Sequence, residues 1–376
     1  MNNNIDVNSL ISSLSKRVPW SVMWGMLKRL EATTSSGWEP FLLKVASHLS
    51  SDKLTNNEKK ELSRLYLLKK NLIEHINFCE KSISFYSTEK VQHDIFYKKI
   101  KSIKIKNSKL SLAFPYQPDK ELLQSTPYAS PNLVHIVEYE DGIALTICTK
   151  RTLRTKEKIS RDSITENIRN DYGKKDEFFV LRNSTELFYD VIFVCKNMPI
   201  IEIRLDHKHG IFAEIHQEAY HQTLGQLRAI SKSLDIELQL TGVDLFDFIK
   251  PIYDDPSNAV VEMAFSTADG FTDRIKQRKE GNDIRNADYH IGGTEKLKGN
   301  WDPYWIAKQY TMPDIEFSVN SELILPGQLK MLSMSNEIRL RGALFLKCFG
   351  REDSTNILSD FRALINNNSS DKTDAA

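Results

Sequence analysis

Asp190, Glu202 and Arg204 are the residues of this chain whose types and spacing fit metal-assisted phosphoryl chemistry. A Mg²⁺ ion prefers oxygen ligands and binds through one or two carboxylates plus the phosphate oxygens of a substrate. It then polarises the phosphoryl group and lowers the pKa of the bound water that attacks it. An arginine beside such a pair stabilises developing phosphate charge, although it titrates too high to act as a base. The requirement is geometric: both carboxylates must converge on one ion in a concave, basic site.

The elements that must position them are legible over 161–241. A short polar helix is expected over Asp162–Arg169, then strands at Phe178–Leu181, Leu187–Val194 and Ile200–Leu205. A helix through Ala219–Leu234 and a strand at Ile236–Leu240 complete the block. This α-β-β-β-α-β order, with Asp190 on one strand and Glu202-Ile203-Arg204 on the next, resembles the PD-(D/E)xK nuclease superfamily. The resemblance covers about eighty residues, under a quarter of the chain. It implies a Mg²⁺-dependent nuclease with Asp190 and Glu202 as metal ligands. Arg204 stands at the family's lysine position, and no proline precedes Asp190. The resemblance also implies a glutamine from the following helix, Gln222 or Gln226, and Glu166 as an extra acid. The alternative is plain: Asp190 caps a strand, while Glu202 and Arg204, two apart, line one solvated sheet face.

Histidines concentrate just beyond, at His207, His209, His216 and His221 among Asp206, Glu214 and Glu218. Their types suit a transition metal, but no HExxH pattern sets them on one helix face. Histidines in water at a helix start are the commoner arrangement. A broader signal is basic. Lys98, Lys99, Lys101, Lys104 and Lys106 fall in a stretch with few acids, and Lys150, Arg151, Arg154 and Lys156 form a second run. Such clusters neutralise phosphates and give sequence-independent, salt-sensitive binding. Between 235 and 262 the balance reverses to acid. No GxxxxGK[ST] or GxGxxG loop is present, so any motor work would belong to a partner.

The net charge of +1 gives no global pull toward nucleic acid or membrane, so any electrostatic footprint is local. With 40% hydrophobic and 27% charged residues the 376-residue chain has an ordinary globular composition. No apolar run is long enough to span a bilayer, and the polar N-terminus does not read as a signal peptide. Cys79, Cys148, Cys195 and Cys348 lack metal spacing and read as reduced thiols. The expected location is the cytoplasm.

The expected fold class is α+β: a helical N-terminal domain over 1–90, then an α+β body over 91–365 and a frayed tail over 366–376. Within the body lie the core block 161–241 and a β-rich part over 259–365. Helical spacing runs through Val22, Met26 and Leu30, and again through Leu65, Leu68 and Leu72. Ile103–Lys106 alternates as a half-buried strand. Leu133–Tyr139 and Ile143–Thr149 pair across a turn whose Asp141-Gly142 supplies backbone freedom. Trp301-Asp302-Pro303 reads as a helix start, with Asp302 as cap and Pro303 at the first helical position. The leading functional expectation is a nucleic-acid-binding protein without sequence preference, with protein partner subunits in a genome-defence or DNA-processing assembly. The Mg²⁺ nuclease is the second reading, and a protein-interaction module using the acidic 235–262 surface is the third.

Overall fold

The computed structural model describes residues 7–49, 55–173, 176–208, 213–278, 282–311, 320–335, 337–348 and 350–373. The fold is α+β, with a helical N-terminal region and a large antiparallel sheet. Helices α1 (Val7–Ser15), α2 (Trp20–Arg29), α3 (Trp38–Leu49) and α4 (Asn56–Phe78) come first. Strand β1 (Lys81–Ser87) follows, then α5 (Lys90–Ile100), α6 (Lys109–Ala113) and α7 (Lys120–Ser125). A meander of β2 (Asn132–Glu138), β3 (Gly142–Ile159), β4 (Phe178–Cys195) and β5 (Ile200–Asp206) carries α8 (Glu166–Asp171) between its long central strands. After α9 (Ala213–Ser233) come β6 (Thr241–Gly242), α10 (Ile249–Asp254), β7 (Ala259–Thr267) and β8 (Thr272–Lys276). The chain ends with α11 (Asp288–Leu297), β9 (Trp301–Tyr310), β10 (Ser321–Leu325), β11 (Ala343–Leu346) and α12 (Arg351–Thr373).

The strands form one sheet in the order β2-β3-β4-β5-β1-β11-β10-β9-β7-β8, with β6 beside β1. β1 is therefore central, although it falls inside the stretch expected to be purely helical. Its alternation of Ser82 and Ser84 with Ile83 and Phe85 is the strand signal. Ile83 and Phe85 face α12, where the Phe361 ring packs tilted against Phe85 at 5.2 Å between centroids. The N-terminal helices pack on one face of the sheet: Leu10, Leu14, Leu68 and Leu72 share a core with Cys148, Leu187 and Tyr189 of β3 and β4. On the opposite face, α5 and α9 bury Phe96, Ile100 and Leu227 against Leu145, Ile192 and Ile203.

Four further expectations change. Residues 161–241 run α-β-β-α, because 178–195 is one unbroken strand and 236–240 is irregular. Ile103–Lys106 alternates in burial but pairs with no strand; it crosses the β2 edge from the α5 side to α6. Trp301–Tyr310 is a strand, with Pro303 at a bulge opposite Phe265, one of the few places a strand accepts proline. The last helix extends past 365 to Thr373, and 374–376 lie outside the described residues. The 139–142 turn is present, but Gly142 serves close approach and not an unusual φ: a Cβ there would lie 2.4 Å from the Val194 carbonyl oxygen. Among the described residues no helix is long and apolar enough to cross a membrane. All four cysteines are free and buried.

Candidate nucleic-acid interface and the buried ionic core

The strand register decides what the two carboxylates can do. Val191 sits opposite Arg204 and Phe193 opposite Glu202. Directly opposed residues of an antiparallel pair share a face, and neighbours along a strand alternate. Glu202 and Arg204 therefore project with Val191 and Phe193, while Asp190, one position away, projects through the other face. The carboxylates do not converge on one ion, and the expected joint Mg²⁺ ligation by Asp190 and Glu202 is corrected on that ground. Gln222 is likewise displaced. It lies on α9, on the Asp190 side, and donates to Glu218 at 2.9 Å, while Thr223 turns inward to Asp190 at 3.2 Å. Glu166 is exposed on α8 at the far end of β4.

Each carboxylate is instead saturated by basic partners. Glu202 accepts from Arg204 Nε at 2.8 Å and from Arg362 Nε at 2.5 Å. Arg204 also donates to the Asn77 carbonyl at 3.0 Å, with its guanidinium 4.0 Å from the Phe193 ring centroid. Burial alone would raise the Glu202 pKa, but the Arg204 and Arg362 charges outweigh it and hold the carboxyl below its ordinary value. Asp190 is fully buried between both Arg151 guanidinium nitrogens, the Thr223 hydroxyl and the Asp206 backbone N–H. A third carboxylate, Asp206, accepts from Arg17 at 2.7 Å, from the Tyr189 N–H at 2.7 Å and from Lys81. Among the described residues no three His, Cys, Asp or Glu side chains gather as a metal-binding set.

The basic residues divide into three environments. Arg151 is buried against Asp190, and Lys150 donates to the Thr126 carbonyl at 2.9 Å, so both hold the fold together. Lys98, Lys99, Lys101, Lys104 and Lys106 are exposed around the C-terminus of α5, where Lys101 meets Glu138 at 2.6 Å and Lys99 donates to the Leu234 carbonyl at 2.8 Å. Arg154 and Lys156 are exposed on the outer half of β3. The two lysine and arginine runs thus form no common patch. The acidic 235–262 surface is largely neutralised, with Asp244 on Arg339 at 2.8 Å and Glu262 on Arg274 at 2.7 Å.

The outer half of β3 is a distinct object. β2 pairs with β3 only as far as Cys148, and β5 pairs with β4 only from Val191 onward. Beyond these points β3 and β4 continue alone, in register from Arg151↔Glu186 to Ile159↔Phe178. At roughly 3.3 Å per residue this two-stranded ribbon is about 30 Å long. Alternation places Arg154, Lys156 and Lys158 on one face, opposite Asn183, Leu181 and Phe179. Phe179 and Leu181 are 42% and 50% exposed, and the Lys156 ammonium sits 3.9 Å from the Phe179 ring centroid. The other face pairs Glu157 with Arg182 at 2.6 Å. Arg161 closes the tip by donating to the carbonyls of Arg169 and Tyr172 at 2.7 and 3.0 Å. Sequence reasoning missed Phe179 and Leu181; their signal is the alternation Phe179-Val180-Leu181-Arg182, which gains meaning only with the β3 register. Scans against family models, characterised proteins and solved structures find no match to this chain.

Proposed function

We propose that this protein binds nucleic acid through the β3/β4 ribbon, without sequence preference. The observation that carries the reading is the ribbon face itself: Arg154, Lys156 and Lys158 in a row, beside exposed Phe179 and Leu181. A two-stranded ribbon fits the width of a DNA major groove, and its cations reach phosphates on either side. Exposed aromatic rings among cations also stack on unpaired bases. The Lys158–Glu177 ion pair is more than half exposed on both sides, so a phosphate can displace Glu177 at little cost. Phosphate contacts carry position and no sequence information.

The test is fluorescence anisotropy of labelled duplex and single strands against the Arg154→Glu, Lys156→Glu, Lys158→Glu triple variant. Affinity at low salt should fall at least about tenfold, and the salt slope should drop by roughly 2–3, as expected for about three lost phosphate contacts. Both changes should appear equally on unrelated sequences. Unchanged affinity in the triple variant removes the ribbon as the binding surface.

A further inference from the structure

A cleft of about 610 Å³ opens on the α9 side of the sheet, between α9 and the β1/β11 seam. Its floor is low because three small residues meet there. Ser82 of β1 lies opposite Leu344 of β11, and a Cβ on Gly342, just before that strand, would come within 3.1 Å of the Ser82 hydroxyl and 3.8 Å of the Ser84 hydroxyl. One wall is the first half of α9, with His216, Tyr220 and His221; the other carries Pro326 and Leu344. His207 and Arg341 stand at its ends.

The chemistry of this lining is one-sided. The two serine hydroxyls, three imidazoles and one guanidinium can all donate hydrogen bonds. No carboxylate is among the described lining residues. None of the side-chain hydrogen bonds of the described residues uses the Ser82 or Ser84 hydroxyl, and the buried Nε2 of His216 has no partner. Asp190, the buried acid whose charge acts on His216, is already saturated by Arg151 and Thr223. The remaining surface is apolar, and the volume lies in the range of small-molecule sites.

We propose that this cleft binds a small phosphate monoester with a flat apolar body, of the nucleoside monophosphate class. The dianion's terminal oxygens suit the Ser82 and Ser84 hydroxyls, which lie together at the Gly342 floor, and the Arg341 guanidinium, since charge-assisted hydrogen bonds are the strong ones. The body lies against Tyr220, Pro326 and Leu344. This site is independent of the ribbon and of the reading built on it.

The probes are adenosine monophosphate, inorganic phosphate and adenosine, followed by calorimetry and by the histidine ring signals in NMR. Adenosine monophosphate should bind, phosphate should compete with it, and adenosine should bind at least about tenfold more weakly, the difference of a lost charged contact. The ring signals of His207, His216 and His221 should move together. Arg341→Ala, an exposed position that leaves the fold intact, should lose about tenfold in affinity, and Gly342→Val should abolish binding by filling the floor. Equal affinity for adenosine and its monophosphate overturns the proposal. So do unmoved histidine signals at about 10 mM phosphate and monophosphate, where even a millimolar site is mostly filled.

Discussion

The inner and outer halves of the β3/β4 pair carry the same residue types under opposite solvation. Arg151, where the inner half gives way to the ribbon, is held against the fully buried Asp190 and lies 5.3 Å from the Phe188 ring centroid. Arg154, three residues further along the same strand, is exposed on the two-stranded ribbon. In the inner half the charge is spent within the fold, because desolvated ions must be paired. In the outer half it remains available to a partner. The same contrast separates Glu202, bound by two arginines, from Glu157, whose pairing with Arg182 is exposed. Charge type in a sequence therefore says little until burial is known.

The largest effect that would break this comparison comes from removing the two arginines one at a time. Arg151→Ala leaves Asp190 buried without its counterion and should destabilise the fold by about 3–5 kcal/mol. Arg154→Ala should change stability by less than about 0.5 kcal/mol, as surface substitutions do. Urea denaturation at constant m reads both. Equal effects would mean that the ribbon is not a solvent-exposed element.

The sequence displays its periodicities faithfully but not what they face. Alternation over 133–149 and the Asp141-Gly142 turn place β2 and β3 correctly, and Asp190 and Glu202 do lie on neighbouring strands. Their faces depend on register, and a one-residue difference moves a side chain through the sheet. No local pattern distinguishes Phe193 opposite Glu202 from Asp190 opposite Glu202. Strand length was hidden for a related reason. β3 runs on through Lys150–Lys158 without the apolar alternation that burial imposes, because beyond Leu153 the described side chains of that run are exposed. β9 was hidden by Pro303, which opens helices far more often than it sits at a bulge. Ile103–Lys106 shows the reverse case, an alternation satisfied by a loop that buries Ile103 against the α5 side and needs no partner strand.

A second effect sharpens the contrast by titration. Glu80, at the seam where β1 meets β11, accepts the Lys347 N–H at 2.7 Å. Burial pushes its carboxyl up to about 7, against the opposing pull of the Lys347 charge and N–H. A group whose folded pKa is raised contributes stability below its unfolded pKa, and that contribution is lost as pH rises through the folded value. Glu80→Gln should therefore gain stability relative to wild type, by about 2–3 kcal/mol, as pH rises from the ordinary carboxylate value toward neutrality and above. His75 has the opposite sign. Burial, reinforced by the Arg17 and Lys81 charges, pushes it down to about 3, so its contribution is present above the ordinary imidazole value and lost as pH falls. The difference between wild type and Glu80→Gln isolates the first group from the second. A difference that does not vary with pH would place the Glu80 carboxyl in water.

The smallest effect is expected at the lysines that sequence reading had grouped with the ribbon. Lys101 contacts Glu138, which lies opposite Ile143 at the start of β3, whereas Arg154 lies far along the same strand. At about 3.3 Å per residue the separation is roughly 36 Å, more than four Debye lengths at physiological salt. Lys101 and its neighbour Lys98 therefore contribute almost nothing to the field at the ribbon. Replacing both with Glu should alter nucleic-acid affinity by less than about twofold for a probe no longer than the ribbon, since screened charges beyond a Debye length barely interact. A duplex long enough to reach both clusters offers a finer measurement. If the ribbon grips one end, affinity should become sensitive to the α5 lysines only as probe length passes the separation. Loss of binding on the short probe, comparable to that of the ribbon variant, would move the contact surface off the ribbon and onto the α5 end of the sheet.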